Sequence, residues 1–329
     1  MRSARLDLAL ASGTFDLPPQ GRIAVYRPQA ADDLSALPQD RVTVLTGFYP
    51  DHAAFAARGF STAPAAPYAA ALVCLPRARD HARALVAQAT SECLPGAPVL
   101  VDGQKTDGIE AMIRELRGLV PVSPPVTKAH GKLVAFAADP APFAAWAARD
   151  REIEGGFRTR PGVFSADAPD RGSMLLAAAL PDTLGPKVVD LGAGWGYLSR
   201  AILARKGVKR LDLVEAEAEA VTCARANIQD DRARFHWADA TAFRPENLAE
   251  TVVTNPPFHA SRAADPGLGA AFIAAARRML APDGVLYLVA NRHLPYDQPL
   301  SDHFLSVESI GGDAAFRLIR AAKPRRPGR

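Results

Sequence analysis

Cysteine is nearly missing from this chain: three residues, Cys74, Cys93 and Cys223, in 329. They are scattered, odd in number and form no CxxC pair, which excludes a disulfide scaffold and zinc-ribbon spacing. Each reads as a small core residue. No metal site is expected, and a reducing cytoplasm is the expected compartment. Also lacking is any uninterrupted apolar run of about 18 residues, so no transmembrane helix is expected. The opening stretch MRSARLDLALASGTFDLPPQ holds no sustained apolar segment, and no signal peptide is expected. Acids are absent from Arg317 onward, where Arg317, Arg320, Lys323, Arg325, Arg326 and Arg329 cluster. The net charge of +4 is therefore local, and the rest of the chain is mildly acidic. Residues 323–329 read as an unstructured basic tail, either touching phosphates or aiding solubility.

What is present is 48% hydrophobic residues, enough for two cores in a chain of this length. The second half alternates strand and helix signals. KVVDLGAGWG (187–196) reads as a strand running into a glycine-rich turn, and RLDLVEAE (210–217), ARFHWADA (233–240), AETVVTNPP (249–257) and VLYLVAN (285–291) read as further strands, separated by helical spacing at 197–207, 218–229 and 268–284. The Pro-Asp-Gly of the last segment reads as a helix stop. FLSVESI and AAFRLIRA, split by GGD, read as a closing hairpin that adds one antiparallel strand. This alternation predicts an α/β fold with a mainly parallel sheet covered on both faces.

The first half is a weaker copy. Residues 68–105 run strand, Leu-Pro corner, helix, Pro-Gly stop, strand, the same order as residues 251–293. The halves differ in one informative way. RPQAADDL (27–34) stands where the second half has its glycine-rich turn, and CLPRAR (74–79) stands where it has Asn-Pro-Pro. The expected division is a degenerate domain over 1–140, a Pro/Gly/charge-rich linker over 141–160 and a catalytic domain over 161–322.

The chemistry starts at VVDLGAGWGYLS (188–199). Gly192, Gly194 and Gly196 let the backbone pass close to a ligand at the carboxyl edge of the first strand. Glu215 ends the next strand, 19 residues past Gly196, where an acid suits the two hydroxyls of a ribose. Asp190 precedes the glycines, where its charge would oppose a pyrophosphate. A cationic ligand without phosphate fits better, and S-adenosylmethionine has a sulfonium and an amino group. Asp239, after the third strand, is placed to accept from an adenine amine; helix capping or surface charge is the alternative for both Glu215 and Asp239.

TNPPFHA (254–260) is an odd end for a buried strand. Its prolines give no backbone donors. Asn255, a rigid donor-less corner at Pro256 and Pro257, and the aromatic Phe258 follow the strand, and the corner asks for a purpose.

In order and spacing, DLGAGWG, VEAE, WADA and NPPF resemble the class I S-adenosylmethionine-dependent methyltransferases. With RPGVFSADAPDRGSMLL (160–176), VANRHLPY (289–296) and GDAAFRLIRA (312–321), the chain resembles the bacterial ribosomal RNA guanine-N2-methyltransferases of the RsmC/RlmG type. DGQKTDGI and HGKLVAF are similar to that family's first domain. The resemblance implies two tandem Rossmann-like domains, the first degenerate and without the cofactor loop. It implies transfer of a methyl from S-adenosylmethionine to N2 of a guanine in ribosomal RNA, with the small-subunit RNA favoured. Asn255, Pro256 and Phe258 would be catalytic. Asp190, Gly192, Gly194, Gly196, Glu215, Asp239 and Asn255 would hold the cofactor, with Phe164 of PGVFS as a lid or else a hydrophobic staple. Glu215 departs from the family's frequent Asp, and Trp195 within the glycine loop narrows the expected pocket. Arg77, Arg79, Lys105, Lys128, Arg158 and Arg160 are candidate RNA contacts. A monomer acting on ribosomal RNA or a ribosomal subunit, away from membranes, is the expected partner state. An adenine-N6 or protein-glutamine methyltransferase stays open, as does a non-catalytic RNA-binding protein on the same fold.

Overall fold

The computed structural model describes residues 2–13, 15–257 and 266–325. The chain forms two compact units, Met1–Asp150 and Arg151–Arg329.

In the first unit, helix α1 (Arg2–Ala11) precedes strands β1 (Ile23–Tyr26) and β2 (Val42–Leu45). Helix α2 (Tyr49–Ala57), strand β3 (Ala70–Cys74), helix α3 (Arg79–Glu92), strand β4 (Pro98–Gln104) and helix α4 (Ile109–Arg117) follow. Strands β5 (Val126–Lys128) and β6 (Gly131–Ala137) close the sheet, whose order is β2-β1-β3-β4-β6-β5. The first four are parallel and β6 runs antiparallel to β4. α4 shows how sequence makes such a layer: Ile109, Met112, Ile113 and Leu116 fall on one stripe, and all are buried. Cores lie on both sheet faces, one with Val73, Val99 and Leu116, the other with Val44, Phe55 and Leu100.

In the second unit, a hairpin of β7 (Arg151–Ile153) and β8 (Phe157–Thr159) comes first, then helix α5 (Arg171–Ala179). Strand β9 (Lys187–Leu191), helix α6 (Tyr197–Leu203), strand β10 (Arg210–Glu215), helix α7 (Ala218–Asn227) and strand β11 (Ala233–Trp237) follow. Strand β12 (Ala249–Thr254), helix α8 (Pro266–Met279), strand β13 (Leu280–Asn291), helix α9 (Asp297–His303) and the hairpin β14 (Phe304–Gly312) and β15 (Phe316–Pro324) complete it. The sheet order is β11-β10-β9-β12-β13-β15-β14. β15 is antiparallel to both neighbours, as the GGD hairpin predicts. The two sheets share one order, except that the first lacks a counterpart of β11. The repeated strand–helix pattern of the halves therefore reflects one topology used twice.

Three expectations are corrected. Residues 141–160 are not a linker. Ala141–Trp146 is a 3-10 turn whose Phe143 is buried in the first core, and the glycines read as flexible, Gly155 and Gly156, turn the β7–β8 hairpin at positive φ. The Pro-Asp-Gly stop lies inside β13, since α8 ends at Met279 and Leu280 already pairs with Ala249 across an irregular register. Lys323 and Pro324 belong to β15, so the tail starts later than 323, and residues 326–329 lie outside the described residues. The three cysteines are buried thiols, and burial pushes Cys74 and Cys93 up to about 12. Among the described residues, no helix is long and apolar enough to cross a membrane, and no cluster of metal ligands occurs.

Candidate active site

A cleft at the carboxyl edge of the second sheet is lined by Phe164, Ser165, Asp170, Ser173, residues 192–195, Tyr197, Leu198 and Asn255. It opens beside β9, where the chain crosses to β10 on one side and β12 on the other, the usual ligand crevice of such sheets.

The glycine loop is shaped by φ. Gly192, Gly194 and Gly196 take φ of 79°, 54° and 95°, which side chains with a Cβ rarely adopt. A Cβ on Gly194 would meet nothing within 4 Å, so the loop faces open space there. Asp190, at the end of β9, is fully buried. Ser199 donates its hydroxyl to Asp190 Oδ2 at 2.6 Å, while the buried Oδ1 has no partner. Burial pushes this carboxyl up to about 7 against the pull of Ser199, with Glu215 adding to the rise. An orphaned, buried carboxylate oxygen beneath a glycine loop fits a cationic group.

Glu215 ends β10. Its oxygens accept the backbone N–H of Gly194 and of Glu217, each at 2.8 Å, so it clamps the loop from below. Burial raises its carboxyl despite those bonds. Asp239 follows β11, and its Oδ1 accepts from the N–H and hydroxyl of Thr241, both at 2.7 Å. Neither lines the cleft.

Asn255 does line it. Its Nδ2 donates to Asp170 Oδ2 and to Ser173 Oγ, each at 2.8 Å. The amide orientation follows, because a carboxylate accepts and cannot face the amide oxygen. Asn255 Oδ1 is left buried and without a partner. Pro256 is buried next to it. Phe258 lies outside the described residues. Asp170 also caps α5, accepting from Ser173 N at 2.8 Å.

Phe164 has its ring 60% exposed at the cleft, so it is not stapled into a core. Its carbonyl accepts from Trp195 Nε1 at 2.8 Å, and Ser165 beside it takes a φ of 49°. The Trp195 ring packs with Phe157, Val163, Ala220 and Cys223, pinning 161–166 to the loop. Asn227 adds a clamp. It exchanges two hydrogen bonds with the backbone of Arg158 and donates to the Trp195 carbonyl at 2.8 Å.

The candidate RNA contacts are less available than expected. Arg79 pairs with Glu115 at 2.7 Å and Arg160 with Glu219 at 3.0 Å; Arg77 faces Asp107 at 3.8 Å. Lys105, Lys128 and Arg158 are exposed. Asp170, Ser173, Ser199 and Asn227 were missed. The D-x-x-S of 170–173 before an apolar run signals an N-cap, but nothing local links it to Asn255, 85 positions on.

The methyltransferase small domain family matches residues 154–320. Ribosomal RNA large subunit methyltransferase G of Shewanella amazonensis is 30% identical over 71% of this chain, and the chain spans only 64% of that protein's length. Ribosomal RNA small subunit methyltransferase C of Pseudomonas aeruginosa is 30% identical over 89% of this chain and 92% of its own. A T. thermophilus 16S rRNA N2 methyltransferase (RsmC), solved in complex with AdoMet and guanosine, superimposes with a TM-score of 0.79 at 25% identity, covering 98% of this chain and 91% of that one. With one relative matched nearly end to end and the family's profile spanning half of the sequence, the chain belongs to the methyltransferase small domain family, beside the ribosomal RNA methyltransferases C and G.

Proposed function

We propose that this protein transfers a methyl group from S-adenosylmethionine to the exocyclic N2 of a guanine in ribosomal RNA, in the cytoplasm. One observation carries the reading: Asn255 has its NH2 end tied to Asp170 and Ser173 and its Oδ1 end buried and unpartnered. Such an oxygen needs a donor, and an amine entering the cleft supplies one. The relatives' names support ribosomal RNA as the substrate, and the N2 methyltransferase of T. thermophilus, solved with guanosine, supports guanine as the source of the amine.

The amine of guanine is a poor nucleophile, because its lone pair is delocalised into the ring. Asn255 Oδ1 and the Pro256 carbonyl, both accepting from it, favour a pyramidal nitrogen with an available lone pair. The tie to Asp170 holds Asn255 ready, so little reorganisation accompanies the reaction. S-adenosylmethionine supplies an activated methyl on a sulfonium. The glycine loop, with Asp190 beneath it and Glu215 bonded to the Gly194 N–H, would hold that cofactor. The methylated nitrogen is acidic and releases its proton without a strong base. The exposed arginines and lysines of the first unit hold RNA phosphates in this reading.

The test is transfer of tritium from labelled S-adenosylmethionine to small- and large-subunit ribosomal RNA, followed by nucleoside analysis. N2-methylguanosine is expected. N6-methyladenosine, or label in protein alone, would reject the substrate, and no transfer to RNA or protein would leave the non-catalytic RNA-binding reading.

A further inference from the structure

The Asp170 carboxylate does more in the cleft than cap a helix. Its Oδ2 is used twice, by Ser173 N and by Asn255 Nδ2, each at 2.8 Å. Among the described residues, its Oδ1 receives no hydrogen bond. Asp170 lines the same cleft as Asn255, so Oδ1 and the orphaned Asn255 Oδ1 are two acceptors on neighbouring side chains. Gly172 preserves the arrangement: a Cβ there would come within 3.1 Å of both Asp170 Oδ2 and the Phe316 ring.

Two adjacent acceptors match one edge of guanine. N2–H2 and N1–H are neighbouring donors there, whereas adenine presents a bare N1 acceptor beside its amine. We propose that Asp170 is the residue that selects guanine, accepting N1–H at Oδ1 while Asn255 Oδ1 accepts from N2. The assignment rests on the proposed guanine methylation. It adds a reason why an Asn-Pro-Pro corner, which needs only an amine, admits guanine and turns adenine away. A carboxylate oxygen facing the lone pair of adenine N1 is repulsive, and the binding cost falls on the wrong base.

The experiment uses 2-aminopurine riboside, a fluorescent nucleoside with the amine at C2 but a bare N1, against guanosine. Binding of each is measured to the full chain saturated with S-adenosylhomocysteine. The parent protein should favour guanosine by at least about tenfold. In Asp170→Asn, the amide oxygen still receives Ser173 N and Asn255 Nδ2, and asparagine is an equally good cap. The new NH2 then faces N1 as a donor, so the preference should invert toward 2-aminopurine riboside. Asp170→Ala, which removes cap and lock together, should weaken both nucleosides without inverting them. Melting temperature and S-adenosylhomocysteine affinity report on the fold of each variant. An unchanged preference in Asp170→Asn overturns the assignment, as does a parent protein that does not discriminate or binds neither nucleoside. If ribosomal RNA still yields N2-methylguanosine in those cases, only the role of Asp170 is lost; if it does not, the proposed function fails as well.

Discussion

Asn255 and Asp190 each hold a buried side-chain oxygen without a partner, and each role proposed for them makes a measurable prediction. Asn255→Ala removes one preorganised acceptor that acts on the amine. Turnover should fall by about a hundredfold or more, with S-adenosylmethionine affinity kept within a few fold. Single-turnover kinetics with calorimetric titration checks both, and unchanged turnover would reject the role. Asp190 predicts a pH effect. Its carboxyl lies at about 7 in the folded chain against an ordinary 3.8, so between those values the folded state keeps a proton that the unfolded chain has released. Asp190 therefore lowers stability as pH rises through that window, and the loss levels off above about 7. Binding of a cation favours the ionised form. S-adenosylmethionine affinity should then rise by up to about tenfold per pH unit below 7 and flatten above it. Asp190→Asn should abolish both trends, in melting temperature and in titrations from pH 6 to 8. Asp190 and Asn255 were readable because their chemistry is local to a glycine turn and a Pro-Pro corner. Asp170 and Ser199 were not, because their roles are set by partners that only folding brings close.

At the scale of elements, apolar periodicity located where the main strands begin, from β9 to β12, while the segments read as strands ran on past their ends, and the joints were misjudged. Gly155 and Gly156 look like linker residues until the hairpin they turn is seen to bury Phe157 against Trp195. Arg200 reinforces that contact by donating to the Gly155 carbonyl at 2.7 Å. The hairpin is thereby tied to the loop that would hold the cofactor, and Asn227 is the main tie. Asn227→Ala removes three hydrogen bonds, each worth about 0.5–1.5 kcal/mol net. The KM for S-adenosylmethionine should rise about tenfold with kcat nearly intact, accompanied by a change in indole fluorescence from Trp195. A KM equal to the parent's would show that the hairpin and the loop are independent.

Across the whole molecule, the shared strand order makes the difference between the two edges informative. Where the second unit has its glycine loop after β9, the first has residues 27–34 with Asp32, and a cluster of charge joins Asp32 to Asp102 at the end of β4. Arg2 bridges Asp32 at 3.1 Å and Asp102 at 2.8 Å. The fully buried Arg5 grips Asp102 through Nε at 2.6 Å and Nη2 at 3.0 Å, and donates to the Lys128 carbonyl. Asp102→Ala would leave the buried Arg5 guanidinium without a carboxylate, while Arg2 keeps Asp32, and should destabilise the first unit by about 3–5 kcal/mol, whereas pairing it with Arg5→Met should recover much of the loss. Denaturant melts of the single and double variants check this. The surface arginines are a separate question. Arg77→Ala with Arg79→Ala should weaken RNA binding and flatten its salt dependence, sparing S-adenosylmethionine. Equal binding at every salt concentration would mark them as ordinary surface charge.

That buried pair also bears on which substitutions the first unit can absorb. Asp102 is shared, so it can be exchanged for an apolar residue only together with Arg5, whereas Arg2 or Arg5 can be lost singly while Asp102 keeps the other guanidinium. The order of changes then matters as much as their identity, because the same two replacements pass through a stable or an unstable intermediate according to which comes first.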